Sequence, residues 1–141
     1  MTSQTRWFRN LHLALWITQV VLALSFLWAA GIKWFQPTDE LATMWPWVAQ
    51  VPVALVKFTG FVEVAGAIGL LLPIRSHPAT RTSRVAAGVV VWMIGAGMFH
   101  LLRHEASGVG VNVGFAVLAA FIAWGRQQQA PGFSARCSTQ G

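Results

Sequence analysis

One acid, Glu63, stands inside an apolar run, FTGFVEVAGAIGLLLP, that reaches from Phe58 to Pro73. Glu63 falls 11 residues after Pro52 and 10 before Pro73, with no other acid between the two prolines. At 1.5 Å per helical residue its carboxyl would lie about 16 Å from the helix end, near the middle of a roughly 30 Å hydrocarbon layer. An ionised group at that depth costs ~2.5–3.5 kcal/mol on insertion scales unless it is paired or neutralised. The chemistry open to it is proton exchange or hydrogen bonding to a polar ligand. Lys33, Lys57, His100 and Asn112 are the residues in neighbouring stretches that could share such a site. Lys57 lies six residues before Glu63, roughly 120° around a helix, so the two cannot pair well within one helix. Thr59, Gly60, Gly66 and Ala67 flank Glu63 at helical spacing. Such small residues let helices approach closely, so the acid is expected to face a bundle and not lipid.

The rest of the chain must supply that bundle. The 141 residues are 55% hydrophobic and 10% charged, against about 25% charged in a soluble domain, so the composition is that of a membrane protein. The expected fold is all-α: an integral membrane four-helix bundle with spans at about 11–32, 52–72, 85–102 and 109–124. Residues 1–126 form the membrane domain and 127–141, QQQAPGFSARCSTQG, a flexible cytoplasmic tail. The first run exceeds a signal peptide in length, and Trp28 stands where cleavage after Ala30 would want a small residue, so it reads as a retained span. Gln19, Ala23, Phe26, Ala30 and Lys33 recur at helical spacing, which aligns Gln19 with Lys33.

Between the first two spans a short amphipathic interfacial helix is expected. Thr38 would be its N-cap, Asp39 and Glu40 its first turn, Leu41, Met44, Trp45 and Val48 one side, and Pro46 its end. Gly88 and Gly95, and the GxxxG pair Gly110 and Gly114, suggest close helix packing, and a hairpin is expected at Ser107–Gly108. The formal charge of +6 does not read as a nucleic-acid face, because the basic residues fall in short clusters between apolar runs. Arg6, Arg9, Arg75, Arg81, Arg84, Arg126 and Arg136 fall on one side of the predicted bundle, which makes both termini cytoplasmic.

In that topology Lys33, Lys57, His100, His104 and Asn112 gather toward the outer ends of four helices. The inner half is hydrocarbon apart from Gln19. An outward-facing polar cavity floored by Glu63 would pair or hydrate the group. His100 and His104 have the i, i+4 spacing of a metal pair, but Glu63 lies too deep to complete it, so no metal site is expected. His12 and His77 fall on the inner side and the other two histidines on the outer, which argues against a bis-histidine haem. Cys137 is the single cysteine, so no dithiol of the chain's own exists.

FLWAAGIKWFQP, GFVEVAGAIGLLLP, MIGAGMFHLLRHE and NVGFAVLAAFIAWGR, in that order over residues 7–126, resemble the DoxX-like family of small four-helix bacterial membrane proteins. The resemblance implies Lys33, Glu63, His100 and Asn112 at the family's recurrent polar positions. It also implies a bacterial inner-membrane location and an association with quinone-linked membrane redox systems or with membrane-protein assembly. Two functions follow as expectations. The first is binding of a small lipophilic or quinone-like ligand by Lys33, Glu63, His100, Asn112 and Lys57, as accessory subunit of a redox system. The second is a non-enzymatic assembly or interaction subunit that docks a membrane protein partner or a second copy. The chain carries no redox centre or catalytic motif of its own, so enzymatic activity is left open. Its cofactor would at most be a bound quinone or lipid.

Overall fold

The computed structural model describes residues 3–72 and 78–130. The expectations for Arg75, His77, Arg136, Cys137 and the tail beyond residue 130 lie outside the described residues. Five α-helices follow in order: α1 (Ser3–Phe35), α2 (Thr38–Met44), α3 (Val53–Leu71), α4 (Pro78–Leu102) and α5 (Ala106–Gln128). A 3-10 turn, Pro46–Gln50, joins α2 to α3. Four of the helices, α1, α3, α4 and α5, are long and apolar enough to cross a membrane. Large apolar side chains such as Ile17, Phe61, Val91, Ile94 and Val117 are more than half exposed on their outer faces. Helices apolar on all sides, with their outer faces uncovered, are membrane spans whose solvent is lipid. The protein is thus a multi-pass helical membrane bundle.

Lipid provides little hydrophobic drive for helix association, so close packing has to hold the bundle. α1 and α3 run antiparallel through Gly60, where a Cβ would come within 2.7 Å of Trp34 Nε1. α1 meets α5 at Gly125, where a Cβ would lie 2.5 Å from Leu15 Cδ2. Leu22, Ala23, Phe26, Ala67, Leu70, Ala86, Val89, Met93, Ala119 and Ile122 form the central core. Between α3 and α4 an apolar cleft of about 230 Å³ opens beside Val62, Val85 and Trp92. Gly88, Gly95, Gly110 and Gly114 do not pack inside this bundle, since a Cβ at any of them would meet nothing within 4 Å. Helical periodicity marks a small-residue stripe but not which side of the helix the neighbour takes.

The four spans all run further than the sequence suggested, except α3. α1 has 33 residues, about 50 Å of helix, and its first turns overhang the bundle with Gln4 to Asn10 all exposed. α4 and α5 are joined by residues 103–105, so Ser107 and Gly108 belong to the first turn of α5 and not to the hairpin. The turn is a Schellman motif: Glu105 N–H donates to His100 O at 3.0 Å and His104 N–H to Leu101 O at 3.1 Å. His104 occupies the left-handed position, φ 57°, that glycine usually takes there. The connector contains the expected short helix, but Pro37 and not Thr38 is its N-cap, with no side-chain cap bond. Leu41 and Val48 are buried with Trp47 and Val56, while Met44 faces outward. α2 and the 3-10 turn therefore fold down onto the ends of α1 and α3 as a lid.

Candidate functional site

Lys33 and Glu63 meet beneath that lid. Side chains on a helix lean toward its N-terminus, so in this antiparallel pair Lys33 leans toward the bundle centre and Glu63 toward the lid. Lys33 Nζ donates to Glu63 Oε1 at 2.5 Å, and the two side chains are only 8% and 11% exposed. The rings of Trp45 and Trp47 stand 5.5 and 5.9 Å from the same ammonium. An ammonium with a carboxylate on one side and indole faces on another is held by cation–π attraction as well as by the ion pair. Glu63 Oε2 is buried and accepts no hydrogen bond from the described residues, and the same holds for Gln36 Oε1 three residues beyond Lys33. A carboxylate oxygen left without a donor in a dry site is costly and calls for a partner.

The other expected residues are placed elsewhere. His100 does not reach Glu63: its Nδ1 lies 2.7 Å from Glu105 Oε2. A carboxylate only accepts, so Nδ1 carries the proton in that contact. Arg103 Nε donates to Glu105 Oε1 at 3.2 Å, and Arg103 Nη2 donates to Gln50 Oε1 at 2.6 Å, which ties the hairpin to the lid. Burial acts to raise the Glu105 carboxyl, but the bonds from His100 and Arg103 outweigh it and hold the group below the usual carboxylate range. Trp47 links the two clusters, its ring edge-on to His100 at 6.3 Å and to Phe99 at 6.1 Å. His104 has left the helix by then, so the i, i+4 histidine face does not form.

Lys57 and Asn112 are both occupied by backbone. Lys57 Nζ donates to Trp34 O at 2.7 Å, one of the carbonyls that end α1, and Trp34 Nε1 donates back to Lys57 O at 3.1 Å. Asn112 Nδ2 donates to Gly108 O at 2.8 Å, one turn back on its own helix. The five-residue constellation therefore separates into one buried pair, one hairpin cluster and two backbone clamps. Trp45, Trp47 and Glu105 are the participants the sequence reading did not assign. The only hint for Glu105 was its position five residues after His100, which a Schellman turn brings back over the helix end.

The far half of the bundle is not bare hydrocarbon. Gln19 Nε2 donates to Leu70 O at 2.7 Å, and Arg126 donates to Gln19 Oε1 from Nε at 2.7 Å and also from Nη2. Arg126 is 6% exposed, because α5 extends past residue 124 and carries it against α1.

A family model described as the DoxX-like family matches residues 17–122. No curated protein and no solved structure matches the chain. The match covers most of the chain and contains Lys33, Glu63, His100 and Asn112, and the chain belongs to the DoxX-like family.

Proposed function

We propose that this DoxX-like membrane protein binds a small lipophilic, quinone-like ligand at the Lys33–Glu63 pair, as accessory subunit of a membrane redox system. The observation that carries the reading is Glu63 Oε2, a buried acceptor with no donor among the described residues, beside a buried ammonium. A ligand bearing a hydroxyl would donate to Oε2, and a carbonyl would accept from Lys33 Nζ. Trp45 and Trp47 would supply flat apolar walls for a ring. With the lid down the pair is closed, so entry requires α2 and the 3-10 turn to lift. His100, Asn112 and Lys57 are left out of this site, since each is bonded elsewhere. The reading also places the chain in a bacterial inner membrane with both termini cytoplasmic. Arg6, Arg9, Arg81, Arg84 and Arg126 support that, all at the end where α1 starts and α5 finishes.

The test is unfolding of the purified protein in detergent with a short-chain quinone, its quinol, or neither. Either ligand should raise the midpoint, and Trp45→Leu with Trp47→Leu should reduce that rise. No shift with any quinone or quinol would remove the reading. A second function, as a non-enzymatic assembly subunit, is favoured by a different observation: Gly110 and Gly114 present an uncovered GxxxG face to lipid. Gly114→Leu would then reduce cross-linking to a partner while leaving the ligand response intact.

A further inference from the structure

At the end of the bundle remote from the lid, a cavity of about 280 Å³ lies between α1, α3, α4 and α5. Arg126 lines it together with His12, Trp16, Thr82 and Gln129, and Leu70 to Leu72 form an apolar wall. The guanidinium stands 5.4 Å from the Trp16 ring, and its acceptors are the amide oxygens of Gln19 and Gln129, the second from Nη1 at 2.9 Å. Both are neutral. A guanidinium has five N–H donors, so one on Nη1 and one on Nη2 have no partner among the described residues.

No acid is at hand to balance this charge. The chain has four, and Asp39, Glu40 and Glu105 lie in the lid and hairpin while Glu63 is taken by Lys33. The segments outside the described residues contain no Asp or Glu. Exposed Arg81 and Arg84, on the first turns of α4, add positive charge at the same end. A buried, uncompensated guanidinium beside an apolar wall at the end of a membrane bundle asks for an anion with a hydrocarbon body.

We propose that this cavity binds the phosphodiester of an anionic phospholipid, with the two Arg126 N–H groups that have no partner among the described residues on the phosphate and the acyl chains along Leu71 and Leu72. The guanidinium fork matches two phosphate oxygens, which a carboxylate-free pocket leaves open to it. Free inorganic phosphate has the same head chemistry but nothing for the apolar wall, and this distinguishes the two sources. The site does not depend on the ligand reading at Glu63.

Native mass spectrometry of the delipidated protein, with dioleoylphosphatidylglycerol, dioleoylphosphatidylcholine or inorganic phosphate added, tests the assignment. Phosphatidylglycerol should bind at least several-fold more tightly than phosphatidylcholine, and phosphate should not bind detectably. Arg126→Gln should abolish that preference, whereas Arg6→Gln, which removes the same charge from the exposed first turns of α1, should preserve it. Should Arg126→Gln not fold, Arg126→Lys retains the charge without the fork and should weaken the preference several-fold. Equal uptake of the two lipids, equal loss in the Arg6 and Arg126 variants, or an unchanged preference in Arg126→Lys would each overturn the proposal. Binding of phosphate alone as tight as that of phosphatidylglycerol would overturn the lipid assignment.

Discussion

Each end of this bundle buries one cation against tryptophan, and the two are balanced in opposite ways. Lys33 has a carboxylate at 2.5 Å and two indole rings, and what is left over is an acceptor, Glu63 Oε2. Among the described residues Arg126 has only neutral amide oxygens and one indole, and what is left over there is positive charge with unused donors. One end therefore suits a partner that donates a proton in a hydrogen bond, and the other a partner that brings negative charge. Covering differs as well. Trp45 and Trp47 come from the connector between α1 and α3, while Arg126 is framed by three spans and the end of α3. Composition alone would have made the two ends alike.

The largest expected effect tests whether Lys33 truly depends on its acid. Glu63→Leu leaves a buried ammonium unpaired and should cost about 3–5 kcal/mol in reversible unfolding from mixed micelles. The double variant Lys33→Met/Glu63→Leu should recover most of that loss, since no charge is then stranded. A double variant as unstable as the single one would show that packing, not charge balance, holds the lid end. At the opposite end the order of costs should reveal the missing acid. Gln19→Leu strands part of the guanidinium and should cost about 1–3 kcal/mol, whereas Arg126→Met removes the charge with its donors and should cost less. The reverse order would erase the contrast between the two cations.

The smallest effect separates the buried pair from the hairpin rim. Glu105 has a lowered folded pKa, so its contribution to stability is complete above the ordinary carboxylate pKa and is lost as pH falls through the lower folded value. Melting midpoints recorded from pH 6 down to about pH 3 should fall in the native chain, and Glu105→Gln should flatten part of that fall. Identical profiles would mean that the His100–Glu105–Arg103 cluster adds nothing.

Much of this was readable in the chain. The four spans, the connector helix and the inward turn of Glu63 follow from hydropathy and from small residues at helical spacing. Lys33 was one of four residues that could share the Glu63 site, because a sequence gives depth but not which helix neighbours which. What escaped it was rotation and reach. Gly110 and Gly114 look the same in sequence whether they face a helix or lipid. Lys57 resembles a site cation until α1 is seen to end beside it and take it as a cap for Trp34 O. Arg126 reads as a topology marker, because nothing in its neighbourhood of the sequence shows that α5 continues and folds it under Gln19.

The most direct test of the Glu63 site compares a hydroquinone with its dimethyl ether, which keeps the ring but has no O–H to donate. The hydroquinone should bind about ten- to a hundredfold more tightly to the native protein, as a hydrogen bond to a charged acceptor of about 1.5–3 kcal/mol requires. That difference should vanish in Lys33→Met/Glu63→Leu, which is expected to fold but lacks the acceptor. Equal affinity of the native protein for the two compounds, or a difference that survives in the double variant, would contradict the account.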